Sequence, residues 1–338
     1  MRKDMEIPVI SVILPCYNAQ NFIVDAISSI KNQTFKSWEL IIVDDCSTDA
    51  SVEKIMPLLD HRTRLLKQPQ NAGYPIAMNK GISQARGEYI ARMDADDICL
   101  PTRLEEQLAA LKHYSEASFC GINRFRITPG GKMYCNEKLP PDKFVWETWD
   151  DLIRNERLFT DPSVLLKKSK VTDVGGYRTF QRSGMDVDLW LRVMERFGPG
   201  ITLTLPLYGK RVEPGSLIFN SQTYLVNQIP RILALQRKEK GSDDVELSGE
   251  IAVEKYIDSG DIKSSRKEDQ LALLLGPFVT CLWLLDFKGM KIYGSTILKI
   301  NAFSGIGFLK AILALSRKIL ERVRHNPYKR FDILSIQK

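Results

Sequence analysis

Glu88-Tyr89-Ile90-Ala91-Arg92-Met93-Asp94-Ala95-Asp96-Asp97-Ile98-Cys99-Leu100-Pro101-Thr102-Arg103-Leu104 is the stretch on which the reading of the whole chain turns. Tyr89 to Met93 reads as a buried strand, and Pro101 opens a helix whose Leu104, Leu108 and Leu111 recur at helical spacing. Asp94, Asp96 and Asp97 therefore stand where a strand ends, the place at which open α/β sheets hold ligands. Carboxylates gathered this closely repel one another unless a cation joins them. Mg2+ or Mn2+ would do so, since these hard ions bind one or two carboxylates and complete an octahedron with diphosphate oxygens and water. The same residues also admit a plainer reading, a solvated turn in which an Asp caps the next helix.

Upstream of this stretch, strands and helices alternate. Val9 to Pro15 is a short apolar run ended by proline, Asn18 to Asn21 is a turn and cap, and Phe22, Ala26, Ile27 and Ile30 make a helical stripe. Trp38 to Val43 is a second strand, Asp44 to Asp49 caps another helix, and Arg64 to Lys67 is a candidate third strand. Asn71-Ala72-Gly73 is a loop, and a helix from Pro75 to about Arg86 carries Asn79. Alternation at this pace predicts βαβ units and a doubly wound, mostly parallel, Rossmann-like sheet.

Downstream, Phe119 to Ile122 is a candidate strand, Thr128 to Gly131 a turn, and Phe144 to Leu158 is expected to be one helix. Leu189, Trp190, Val193, Met194 and Phe197 form a core-facing stripe, which places Asp186 in the first turn of another helix.

The chain has 338 residues, enough for one large or two modest domains, and its 44% apolar and 26% charged content excludes a disordered protein. Met1 to Glu6 are charged and run straight into an apolar segment, so no signal peptide is expected. Six scattered cysteines without a close pair suggest free thiols in a reducing cytoplasm. The net charge of +7 is concentrated in the tail, where residues 306–338 hold eight basic residues against Glu321 and Asp332.

The order of several motifs resembles the glycosyltransferase family 2 domain, whose fold is the nucleotide-sugar-binding GT-A fold. The matching pieces are Pro15-Cys16-Tyr17-Asn18, Val43 to Asp49, Asn71-Ala72-Gly73, Asn79-Lys80-Gly81, Ala85 to Ala91, and Asp94-Ala95-Asp96-Asp97 followed by Pro101 and Arg103. The likeness spans roughly the first 220 residues, so a GT-A domain over 1–220 and a helical, basic extension over 221–338 are expected.

The resemblance implies that Pro15, Tyr17, Asn18, Asp45, Asn79, Asp94 and Ala95 face the nucleotide sugar. Tyr17 offers a flat face to a uracil or thymine ring, and the Pro15 carbonyl and Asp45 carboxylate could accept from its N–H. Asp44 reads as an internal brace, and Asn79 is equally readable as an ordinary cap. Asp94 would contact ribose or metal, and Asp96 would ligate the metal directly. By resemblance Asp186 is the general base; by position alone it is an acid stabilised at a helix N-terminus. Three departures stand out, at Met185, Asp161 and Glu213. Met185 replaces the Glu usual in the family, Asp161 replaces a frequent His, and Asp188 is either a substitute acid or a helix-internal brace. Glu213 stands in a His place, as a third metal ligand or a solvated loop residue. Arg211 would pair with the diphosphate or make a strand-edge salt bridge.

Leu271 to Leu285 is apolar but too short to span a bilayer and is interrupted by Gly276-Pro277, so it is expected as a buried helical pair or a surface-embedded segment. Residues 306–323 pattern as a basic amphipathic helix, suited to an anionic membrane surface or to packing on a neighbour. Nucleic acid fits less well, because the apolar face is continuous and no known module is present. Together these readings predict a cytoplasmic inverting transferase, peripheral on the inner face of the membrane. It would use Mn2+ or Mg2+ to move a sugar from a nucleotide-diphosphate donor, a UDP-sugar first, onto a glycan or lipid-linked acceptor. The alternatives are a nucleotide-sugar-binding scaffold without turnover, or a nucleotidyltransferase, for which a Gly-rich phosphate loop with a following Lys is missing.

Overall fold

Four parallel strands form the first half of the sheet in the computed structural model, which describes residues 7–135, 142–154, 159, 161–179, 184–212, 229–243, 245, 286–288 and 290–291. These are β1 (Ile10–Cys16), β2 (Trp38–Asp44), β3 (Thr63–Lys67) and β4 (Tyr89–Arg92), side by side in the order β3-β2-β1-β4. Every residue of β1, β2 and β4 is buried, as strands covered on both faces must be. The connecting helices are α1 (Ile23–Lys31), α2 (Ser51–Ile55), α3 (Tyr74–Gln84) and α4 (Arg103–His113). This is the α/β arrangement that the alternation predicts, and the ends of β1, β2 and β4 lie together.

Beyond β4 the sheet continues through further strands, which bring in antiparallel pairing. They are β5 (Ile98–Cys99), β6 (Cys120–Ile127), β7 (Met133–Tyr134), β8 (Phe144–Glu147), β9 (Leu165–Lys167) and β10 (Gly200–Arg211). The order runs β4-β9-β6-β10-β5, with β8 on β10 and β7 on β6. Helices α5 (Trp149–Arg154), α6 (Lys168–Asp173), α7 (Met185–Phe197) and α8 (Ile229–Lys240) complete the described elements.

The single helix expected over 144–158 is corrected here. Phe144 to Glu147 extend along β10, and α5 begins only at Trp149. The break has a local cause. The Thr148 hydroxyl accepts from the Asp151 N–H at 3.2 Å, and the Asp151 carboxylate accepts from the Thr148 N–H at 2.8 Å. That reciprocal pair is a capping box, and it starts a helix at the residue that follows it.

One apolar core ties α3 and α7 to the sheet. It includes Ile13, Ile41, Val43, Met78, Phe119, Phe159, Leu189 and Trp190. Phe119 packs between Phe159 and Trp190, with ring centroids 5.1 and 5.5 Å away. Met185 is also in this core, at 8% exposure. At the opposite end of the strands from the acidic turn, Glu39 is 1% exposed. It accepts from Ser11, from the Arg86 backbone and side chain, and from Arg64. Gly87 follows because a Cβ there would lie 2.7 Å from the Ser11 nitrogen.

By contacts the chain divides into two compact units. The first holds residues 1–124, 140–209 and 230–251, and the second 125–139, 210–229 and 252–338. In the second unit, β7 pairs with Arg126 and Ile127, Val212 donates to the Ile127 carbonyl, and Gly130 donates to Asp286. Among the described residues no helix is long and apolar enough to cross a membrane. The apolar run 271–285 and the amphipathic stretch 306–323 fall outside the described residues.

Candidate active site

The ends of β1 and β2 meet in backbone that only a built turn would adopt. Asn18 (φ 51°) and Cys46 (φ 63°) are, among the described residues, the non-glycine positions in the left-handed region. Such conformations cost on the order of 1–3 kcal/mol each and cluster where function needs them. Asn18 is held there by Thr48, whose N–H donates to its side-chain oxygen at 2.8 Å, and by the Ser47 hydroxyl, which accepts from its N–H at 3.0 Å. The consequence is that Tyr17 is pushed outward, 50% exposed, at the end of an otherwise buried strand. Pro15 sits buried in β1 opposite Val43.

Asp44 and Asp45 both point inward. Asp44 accepts from the Ser47 N–H at 3.3 Å, the bracing role expected of it. Asp45, 4% exposed, accepts from Gln68 at 2.7 Å and from the N–H groups of Ala72 and Gly73 at 2.8 Å each. It thereby fixes the loop that leads into Tyr74 and α3. Cys16 beside them is inert, because burial and then Asp44 push its thiol up to about 12.

At the end of β4, Asp94, Asp96 and Asp97 each bring an oxygen to within 4.8 Å of the others. Asp97 is 1% exposed and accepts from the Tyr208 hydroxyl at 2.7 Å, while Asp94 is half-buried and Asp96 partly exposed. Tyr208, on β10 opposite Cys99, also accepts from the Asp94 N–H at 3.3 Å and so shapes the turn. Burial, reinforced by Asp97 and Asp94, holds the Tyr208 phenol well above its usual range, so it stays a donor. Behind the turn, Arg103 is fully buried and donates to the Arg92 carbonyl at 2.7 Å and the Pro162 carbonyl at 3.2 Å. Ala95 is buried within the turn. The donor set is hard carboxylate oxygen, which suits Mg2+ or Mn2+. Asp94 and Asp96 are the less buried members, and Asp97 serves the Tyr208 hydroxyl.

Asp186 lies in the first turn of α7, after Gly184 in the left-handed conformation. It accepts from the Val187 N–H at 2.9 Å, and its Oδ2 is 3.5 Å from Arg92 Nη1. The other terminal nitrogen of Arg92 is 3.4 Å from Asp94. Arg92 Nε donates to the Tyr74 hydroxyl, and its guanidinium lies 4.7 Å over the Tyr74 ring. A continuous run of contacts thus joins Asp45, the 71–73 loop, Tyr74, Arg92, Asp94 and Asp186. Burial works against the charge on Arg92, but Tyr74, Asp94, Tyr177 and Asp186 outweigh it and raise its pKa.

Asn79, implied as a ligand contact, braces the backbone of Tyr177 with both ends of its side chain. Its amide nitrogen donates to the Tyr177 carbonyl at 2.7 Å and its oxygen accepts from the Tyr177 N–H at 2.9 Å. Both ends of the side chain are spent on the segment that precedes α7. Asp188 is the brace of the two readings offered for it: fully buried, it pairs with Arg192 at 2.7 Å and Arg178 at 3.5 Å. Arg211 closes β10 within the second unit. Glu213 lies outside the described residues, and only the backbone of Asp161 is described, in a short 3-10 turn. Arg92, Tyr74 and Tyr208 are the residues that reading the sequence missed. Tyr208 stands three residues before Arg211, which the resemblance marks, but nothing local marks Arg92 or Tyr74.

A second concavity of about 600 Å³ lies at the other end of α7, lined by Trp149, Glu195, Arg237 and Lys238 among others. Lys238 sits 4.6 Å over the Trp149 ring there.

Residues 11–187 match the family described as glycosyl transferase family 2. EpsE of Bacillus subtilis (strain 168) is 30% identical over 225 residues, 65% of this chain and 79% of that protein. The UDP-Glc:alpha-D-GlcNAc-diphosphoundecaprenol beta-1,3-glucosyltransferase WfgD of Escherichia coli is 36% identical over 141 residues, 40% of this chain and 55% of that one. Among solved structures, S. aureus TarS 1-349 in complex with UDP-GlcNAc superposes with a TM-score of 0.53 at 18% identity, covering 84% of this chain and 89% of that chain. At that identity the likeness speaks for the fold alone.

Proposed function

The chain belongs to glycosyltransferase family 2, and from that premise we propose that it transfers a sugar from a UDP-sugar to a hydroxyl of a glycan or lipid-linked acceptor, with inversion. The donor class is supported by the UDP and UDP-GlcNAc held by structures of the same fold. The lipid-diphosphate acceptor named for WfgD supports the acceptor class.

The observation that carries the reading is the contact of one guanidinium, Arg92, with both the acidic turn and Asp186. Tyr17 stacks on the base, and Asp45 holds the 71–73 loop that walls it. Asp94 and Asp96 would hold Mg2+ or Mn2+, which when bound neutralises charge on the leaving diphosphate. Asp186 accepts the proton of the acceptor hydroxyl at a carboxylate oxygen while that hydroxyl attacks the anomeric carbon from the side opposite the diphosphate. One displacement of that kind inverts the centre.

We further assign residues 221–338 as the extension that docks the enzyme on an anionic membrane surface at the cytoplasmic face. The basic excess of 306–338 supports that assignment.

Replacing Asp186 by Asn tests the catalytic claim. Turnover should fall by about 10²–10⁴, the usual contribution of a general base. Thermal stabilisation by UDP with Mn2+ should persist. Unchanged turnover would remove Asp186 from the role. One observation favours a second reading, a nucleotide-sugar binder without catalysis: Met185 is buried in the core where the family has an acid. Donor stabilisation of the wild-type chain with no transfer to any acceptor, and no donor hydrolysis, would select that reading.

A further inference from the structure

We propose that Arg92 is a positioning residue, a clasp that fixes Asp186 against the acidic turn of β4. The inference rests on Asp186 being the base. It begins from an apparent extravagance: Arg92 ends a strand in which every residue is buried, faces Ile13 in the register with β1, and is itself 6% exposed. An apolar side chain would fill that position without the desolvation cost that a buried guanidinium carries. The charge is therefore explained by what it touches.

Its contacts divide the guanidinium into a supported side and a working side. On the supported side, Nε donates to the Tyr74 hydroxyl, and the Tyr74 ring lies 4.7 Å beneath the plane. Tyr74 in turn is fixed by Tyr177, edge-on at 6.1 Å between centroids. On the working side, Nη2 is 3.4 Å from Asp94 and Nη1 is 3.5 Å from Asp186. Nη1 is buried and makes no hydrogen bond. Its hold on Asp186 is thus charge attraction at a distance slightly beyond hydrogen-bond contact. That is how a base can be located without an oxygen being consumed by the residue that locates it. Fixing Asp186 and Asp94 on one rigid group sets the distance between the acid that takes the proton and the turn that faces the diphosphate.

A double-mutant cycle in the full-length chain tests this, with Arg92→Met, Asp186→Asn and the pair. At saturating donor, Arg92→Met should lower kcat about 10–100-fold, the range of coupling between residues in one network. Donor KM should change by only about threefold or less, and UDP-induced stabilisation should persist. In the Asp186→Asn background the same change should cost less than about threefold, because there is no base left to position. Equal losses in both backgrounds, or no loss in either, would overturn the proposal. Asp186→Asn with wild-type turnover would instead overturn the base assignment, a result distinct from additivity. If Arg92→Met does not fold, Tyr74→Phe supplies the second cycle. It keeps the ring, releases Nε, and should lower kcat several-fold only when Asp186 is present.

Discussion

Two groups of buried or half-buried acids in this molecule are built on opposite plans. Behind α7, Asp188 and Asp243 are 0% and 1% exposed, and three guanidiniums surround them, from Arg178, Arg192 and Arg237. At the end of β4, three carboxylates instead converge within 4.8 Å of one another, at the mouth of a parallel sheet. The first group carries its counter-charge within the fold and ties α7 to α8 and to the 174–178 segment. The second concentrates like charge at a strand end, with Arg92 3.4 Å from Asp94. An acid wholly surrounded by the protein's own donors is a brace; an acid gathered with other acids at a strand end is a place for chemistry.

Replacing one acid from each group should separate the two plans. Asp96→Asn should reduce transfer about a thousandfold or more, from loss of several kcal/mol of diphosphate stabilisation. Its melting curve without metal should shift by no more than about 0.5 kcal/mol, the usual scale for a substitution at a partly exposed side chain. Activity titrated with Mn2+ and thermal melts read the two effects. A large loss of stability with unaltered activity would invert the comparison.

Asp243→Asn should do the opposite. Removing this buried acid leaves Arg178 with Asp188 and Arg237 with Glu195, and costs about 1–3 kcal/mol for the lost charged hydrogen bonds. Denaturant midpoints measure this, and the protein that remains folded should retain most of its kcat. A neutral substitution would show that α8 is not held through this network.

The smallest effect concerns Glu39, which belongs with the braces at the far end of the sheet. Burial opposes its charge, but the Arg86 backbone, Ser11, the Arg86 side chain and Arg64 prevail and keep its carboxyl below the usual 4.5. A depressed pKa contributes stability above the unfolded value, and that contribution is lost as pH falls through the folded one. The stability gap between wild type and Glu39→Gln should therefore be full near neutral pH and should close below pH 4.5. Melting temperatures of both proteins across that range check the sign. A gap that widens on acidification would contradict it.

Much of the site was legible because its parts announce themselves locally. Tyr89–Met93 followed by acids and Pro101 is a strand, a turn and a helix start in consecutive residues, and the structure places the acids at that strand end. Asp186 was placed in a first helical turn by the stripe of Leu189, Trp190 and Val193. The helix expected over 144–158 failed because Phe144, Val145 and Trp146 satisfy either period, and β10 supplied the partner that chose extension. The capping box at Thr148 and Asp151 was the signal overlooked. The partner of Asn79, Tyr177, is 98 residues away, which no local pattern announces.

The resemblance of ordered motifs to a known family pointed to that family and to the acids worth watching, while periodicity along the chain marked the strands and helices of the α/β sheet. Those elements follow from contacts between near neighbours, which strand and helix periods encode directly. Which acid faces a ligand and which serves as a brace was decided only by the assembled fold. Arg92 meets Asp186, and Tyr208 meets Asp97 from 111 positions away, because the sheet brings distant strands side by side. A carboxylate's role depends on the charges that surround it in space, and adjacency in the chain does not specify those.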